Sequence, residues 1–157
     1  MTIICAAKGP DGIWIGSDTM STLDGGRLPI ASKWEVSLDG TIAIGAAGEA
    51  AFRLLLKARF KEIIASGDPF TISRAWRDLA RADGWEGEPH NGRKTFPVRA
   101  LMVTRGRLYG MDSTFDFCEH DVPFIASGSG MDYAIGAAHI LRAEGWVSAR
   151  EQVTRGI

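Results

Sequence analysis

Apolar and polar positions sort the chain into short strands and a few helices. Residues 2–7 form a compact apolar run with adjacent β-branched Ile3 and Ile4, which predicts a strand. Gly9-Pro10-Asp11-Gly12 signals a turn, and Ile13-Trp14-Ile15 ahead of Gly16-Ser17-Asp18 completes an antiparallel hairpin over residues 2–17. Residues 19–29 are polar, carry Asp24-Gly25-Gly26, and predict a loop or a second turn. Residues 30–37 and 41–47 predict two more strands joined by Leu38-Asp39-Gly40.

The period then changes. Phe52, Leu55, Leu56, Phe60, Ile63 and Ile64 recur at helical spacing, predicting a helix from 49 to about 65 that Gly67 and Pro69 end. A second helix fits 71–82, with Ile72, Trp76, Leu79 and Ala80 on one face. Residues 84–96 are polar and glycine-rich, and predict a loop. Residues 98–104 and 107–111 predict a hairpin over Arg105-Gly106, and 124–126 a short strand. The tight turn Ser127-Gly128-Ser129-Gly130 leads into a helix from 132 to about 143, ended by Gly145. Ser148-Ala149-Arg150-Glu151 matches a capping box and opens a last helix. Runs of strands followed by runs of helices predict α+β layers rather than a doubly wound parallel sheet.

Composition narrows the picture. A length of 157 residues predicts a single domain, 1–157. Eighteen basic residues against 19 acidic ones leave a net charge of −1, with no electrostatic reason to expect nucleic acid or a membrane surface as partner. Cys5 and Cys118 cannot build a disulfide framework, there is no basic leader, and no apolar run approaches the roughly 18 residues of a membrane span. The expectation is a cytoplasmic protein. Glycine, 19 residues, exceeds its usual share of about 7% and predicts tight turns or close backbone approaches.

Most candidate chemistry fails on spacing. Asp112, Asp116, Cys118, His120 and Asp121 cluster without any zinc-type spacing, so a solvated loop and no metal are expected. Ser129 does not sit in a nucleophile elbow, because positions 127 and 131 are Ser and Met. His139, in the apolar stretch Gly136-Ala137-Ala138-His139-Ile140, reads as a helix-packing residue. The dinucleotide fingerprint fails at Tyr133, which leaves a nucleotide-binding module as a weak alternative and no cofactor expected. Thr2 is the sharper signal. Removal of Met1 would leave its α-amine beside its own hydroxyl, a self-contained nucleophile and base. An α-amine titrates near about 7.7–8.0, so much of it can accept a proton at neutral pH.

The order of these pieces resembles the proteasome β-subunit group, and within it the bacterial HslV-type peptidase. The resemblance rests on Thr2-Ile3-Ile4 opening a strand, Gly16-Ser17-Asp18 closing the next, and Lys33 in the one after. It rests also on Thr41-Ile42-Ala43-Ile44-Gly45-Ala46-Ala47-Gly48-Glu49-Ala50 entering a helix, and on the glycine-serine-glycine turn and helix over 126–138. It covers residues 2–60 and 98–145.

The resemblance implies a four-layer αββα sandwich of the N-terminal nucleophile hydrolase type and a threonine peptidase subunit. It implies Thr2 as nucleophile, Asp18 and Lys33 tuning it, Gly45 offering an oxyanion N–H, and Ser129 supporting the amine. Lys33 lies one residue closer to Thr2 than that pattern has it, while its 15-residue distance to Gly48 fits. Taken alone, Asp18 also suits a turn cap, Lys33 a strand-end lysine, Gly45 a packing glycine and Ser129 a helix cap. An unfolded polypeptide or peptide substrate, a homo-oligomeric ring and an ATP-dependent unfoldase partner follow from the resemblance only. The resemblance further implies a strand or strands after the last helix. The chain ends at Ile157 without them, so the sandwich is expected to lack its C-terminal strand. That shortfall keeps a catalytically inactive, ring-forming or scaffolding relative in view, and an amidase acting on small amides stands beside it. The 84–96 segment, with Trp85, His90 and Arg93, falls outside the resemblance.

Overall fold

The first apolar run folds as β1 (Ile4–Gly9) and turns over Gly9–Gly12 into β2 (Gly12–Ser17). The computed structural model describes residues 2–23, 26–29, 32–145 and 148–157. The chain continues as β3 (Met20–Leu23), β4 (Gly26–Pro29), β5 (Trp34–Val36), β6 (Ile42–Gly48), α1 (Ala50–Ile63) and α2 (Pro69–Ala82). Then follow β7 (Glu88–His90), β8 (Arg93–Thr95), β9 (Val98–Thr104), β10 (Arg107–Met111), β11 (Phe117–Glu119), β12 (Phe124–Ser127), α3 (Met131–Ala143) and α4 (Ala149–Gly156).

Two antiparallel sheets carry the fold. One is ordered β12-β1-β2, the other β11-β10-β9-β6-β5. Side chains alternate across each strand, and the alternation builds the layers. On β1, Ile4 and Ala6 point inward and meet Leu101 and Leu108 of the second sheet. Ile3, Cys5 and Ala7 point outward and pack under Ala134 of α3 and Ala149 and Val153 of α4. On the second sheet, Ile42, Ile44, Ala46, Val98, Ala100 and Met102 face out toward Phe52, Leu56, Ile72 and Trp76 of α1 and α2. The result is the expected sandwich of helices, sheet, sheet and helices.

The largest core lies beneath α1 and α2. Trp76 and Phe96 meet Phe115 edge-on, with ring centroids at 5.6 and 5.3 Å. Such contacts add about 0.5–1.5 kcal/mol each beyond area burial. They hold Phe115 at φ +64°, a conformation costing a non-glycine residue about 1–3 kcal/mol.

Several expectations need correction. Residues 19–29, expected as a loop or a second turn, hold the paired strands β3 and β4, and residues 24 and 25 lie outside the described residues. The strand expected over 30–37 is confined to β5 among the described residues, with 30 and 31 outside them. The 84–96 segment holds the β7–β8 hairpin. Its turn, Asn91-Gly92, has positive φ at both residues, +48° and +76°, as a type I′ turn requires. Strand β11 lies inside the stretch expected to be a solvated loop. Pro69 opens α2 rather than stopping α1, and Asp68 caps that helix by accepting from the Thr71 N–H at 2.9 Å. His139 is exposed on α3 and does not pack the core. Ser148 caps α4 as expected, and Asp11 in the β1–β2 turn adds bonds from the Ala149 and Arg150 N–H groups at 2.8 and 3.2 Å. None of the described helices is long and apolar enough to cross a membrane.

Candidate active site

Pairing of β1 with both β2 and β12 fixes the residues at its start. Ile4 sits opposite Ser17 on one side and Ser127 on the other, which sets Thr2 between Asp18 and the 127–130 turn. The Thr2 nitrogen donates to Ser129 Oγ at 2.9 Å, and the Gly130 N–H donates to the Thr2 carbonyl at 3.0 Å. Gly128 makes this approach possible. Its φ is +99°, and a Cβ there would run into the Thr2 carbonyl oxygen.

Behind Thr2 lies a buried charge pair. Lys33, only 4% exposed, donates from Nζ to Asp18 Oδ1 and Oδ2 at 2.7 and 2.8 Å and to Thr2 Oγ1 at 3.3 Å. Those three contacts use all three ammonium protons. Asp18 also accepts the Ile3 N–H at 2.7 Å and the Met20 N–H at 3.1 Å, so each carboxylate oxygen carries two hydrogen bonds. Burial alone would raise the Asp18 pKa. The Lys33 hydrogen bond and the two backbone N–H groups outweigh it and hold the carboxyl below the ordinary aspartate value. Asp18 thus joins three segments, accepting from the Met20 N–H two residues on, from the Ile3 N–H and from the Lys33 ammonium.

The structure thus gathers four of the five residues singled out in the sequence: Thr2, Asp18, Lys33 and Ser129. It does not bring Gly45 to them. The Glu49 N–H bonds to the Pro97 carbonyl, and antiparallel alternation from that point turns the Gly45 N–H toward its β9 partner Leu101. A Cβ on Gly45 would lie 2.7 Å from Ile4 Cγ2, so this glycine lets the two sheets close on each other. Gly48 is the glycine at the site. Its N–H points away from β9, toward the side from which the Lys33 carbonyl bonds Ala46. It has φ +120°, and a Cβ would collide with the Pro97 carbonyl. Its 15-residue spacing from Lys33 was the sequence signal for it.

Thr2 opens onto a cleft of about 500 Å³ lined by Ala47, Gly48, Val98, Arg99, Ser129 and Asp132 among others. Sequence reasoning missed Arg99 and Asp132. The usable signal for Arg99 was a charge at an inward position of β9, one step before inward Leu101.

No protein-family model matches the chain, and no curated protein does. Solved structures do. Thiobacillus denitrificans BPH in complex with Epoxomicin aligns over 99% of this chain and 87% of its own, at 20% identity and a TM-score of 0.76. This is the proteasome and HslV-type N-terminal nucleophile hydrolase fold. The same hydrolase fold relates the chain to eukaryotic HslV from Trypanosoma brucei, at 20% identity and TM-score 0.66 over 98% of this chain and 87% of that one. It also relates it to Anbu from a Hyphomicrobium species, at 15% identity and TM-score 0.65 over 87% of this chain and 64% of that one.

Proposed function

We propose that the chain is a threonine peptidase subunit whose nucleophile is Thr2 after removal of Met1. One observation carries the reading: the ammonium of buried Lys33 reaches both Asp18 and Thr2 Oγ1, while Ser129 holds the Thr2 nitrogen. A structural ion pair has no need of the threonine hydroxyl. A nucleophile has need of both groups.

While Met1 precedes it, the Thr2 nitrogen is an amide and can only donate. Once Met1 is cleaved, it is an amine held by Ser129. The amine takes the proton of Oγ1 as Oγ1 attacks a peptide carbonyl. The positive charge of Lys33 favours the uncharged amine and stabilises alkoxide character on the oxygen. The Gly48 N–H, in place of Gly45, donates to the oxyanion, a contact of the kind worth about 3–4 kcal/mol of barrier. Collapse expels the leaving amine, which takes the proton back from the Thr2 amine. Water, deprotonated by that amine, then releases the acyl group and regenerates Oγ1–H.

The reading extends to an unfolded polypeptide or peptide substrate, a ring of copies of the chain, and an ATP-dependent unfoldase as partner. Intact-mass measurement tests its core. Loss of the Met1 mass, followed by a one-to-one adduct with epoxomicin (the compound in the BPH complex) that Thr2→Ala abolishes, is the expected result. Retained Met1, or an adduct indifferent to Thr2→Ala, overturns it and favours an inactive scaffold. Turnover of small amides but not of peptides favours the amidase.

A further inference from the structure

Arg99 occupies an inward position of β9, with buried Ala47 as its register partner and buried Leu101 next on the same face. It is exposed. It lines the Thr2 cleft beside Gly48 and Ser129. It also lines a second cleft, of about 360 Å³, with Cys118 and His120. Arg99 is therefore shared by the linings of both clefts.

Among the described residues the Arg99 side chain makes no ion pair or hydrogen bond, unlike those of Arg93 and Arg107. Arg93 holds Asp116 at 2.8 Å and Arg107 holds Glu119 at 3.0 Å. Asp112, in the second cleft, is engaged by the N–H and hydroxyl of Thr114. The other charge in the Thr2 cleft, Asp132, sits in the first turn of α3, where the helix N-terminus offsets it, and it is not in ion-pair contact with Arg99. The Thr2 cleft thus has in its lining an arginine whose planar, five-donor head group is unengaged among the described residues. That fork matches a carboxylate, and the flanking sheets reduce the screening of the pair.

We infer that Arg99 binds a carboxylate of the peptide held at Thr2, so that the site selects acidic substrates. The inference rests on the peptidase reading above. The carboxylate has two sources, an acidic side chain near the scissile bond or the peptide's own C-terminus.

The test uses the mature protein and a peptide series in which Glu or Gln is stepped through the positions flanking the cleaved bond. Each peptide is made with a free and an amidated C-terminus, and cleavage is followed by mass spectrometry. Wild type is expected to favour Glu over Gln at one position, or the free acid over the amide, by about tenfold or more in kcat/KM. Arg99→Gln should erase that preference, read as the ratio of kcat/KM between the acidic and the neutral peptide. Arg99→Glu should shift the preference to Lys, and Arg99→Lys should restore part of the original one. A flat profile in wild type, or a preference that survives Arg99→Gln, overturns the inference while leaving the peptidase intact. No cleavage together with no adduct at Thr2 removes the peptidase reading and this inference with it.

Discussion

Lys33 and Asp18 form a bidentate ion pair with the lysine 4% and the aspartate 17% exposed at the side chain. Removing one partner strands a charge in a place built for two. Lys33→Ala and Asp18→Asn should therefore each lower unfolding free energy by about 3 kcal/mol in denaturant titrations. Epoxomicin adduct formation should fall in both, more in Lys33→Ala, where the contact to Thr2 Oγ1 disappears as well.

The same pair sets a pH dependence. The folded-state pKa of Asp18 lies below its unfolded value, so the folded state binds the proton less readily. Its stabilisation is complete above the unfolded value of about 4 and is lost as pH falls through the lower folded value. The gap in stability between wild type and Asp18→Asn should accordingly be widest at neutral pH and close below about pH 4. Subtracting the variant removes the parallel contributions of Asp11, Asp39 and Asp68, which are also lowered. A gap that stays constant to pH 2 would contradict the assignment.

The two glycines of β6 give opposite signatures. Gly45→Ala pushes a methyl against Ile4 and should cost about 1–3 kcal/mol of stability. Protein that remains folded should still form the Thr2 adduct. Gly48→Ala drives a methyl into the Pro97 carbonyl at a positive φ, and should displace the N–H at the site. Adduct formation should drop at least about a hundredfold there, the scale of losing one oxyanion donor. The discriminating number is adduct rate per folded molecule.

Thiol titration probes the outer layer. Burial pushes the Cys5 thiol up to about 12, beneath α4, whereas Cys118 is exposed. At pH 7.5 a thiol reagent should modify one cysteine in native protein and two in denaturant. Modification of Cys5 at the rate of Cys118 would mean that α4 lifts from β1.

What the sequence disclosed, and what it hid, follows from where each element gets its specificity. The α2 helix was legible because Ile72, Trp76 and Ala80 are both its periodic residues and its buried ones. The β9–β10 hairpin was legible because its two apolar runs flank a two-residue turn. Strand β7 (Glu88–His90) is exposed at every position, so no alternation marked it, and only Asn91-Gly92 betrayed the hairpin. In the site, Thr2 could be chosen by its own chemistry, whereas Asp18 and Lys33 came from the family resemblance. Gly45 and Gly48 are not distinguishable by type. They lie an odd number of residues apart on one strand, so register alone decides which N–H faces the cleft.

The capping of α4 by Asp11, and the pairing of β1 with β12, have a consequence for the order of assembly. The strand behind Thr2 is made well before its neighbour at 124–127, its covering helix at 149–156 and the Ser129 partner 127 positions away. Loop closure over such separations comes late and slowly. A nascent chain therefore carries the threonine for some time without the Ser129 turn and the covering helix, and the contacts around Thr2 close only after residues 149–156 have been made.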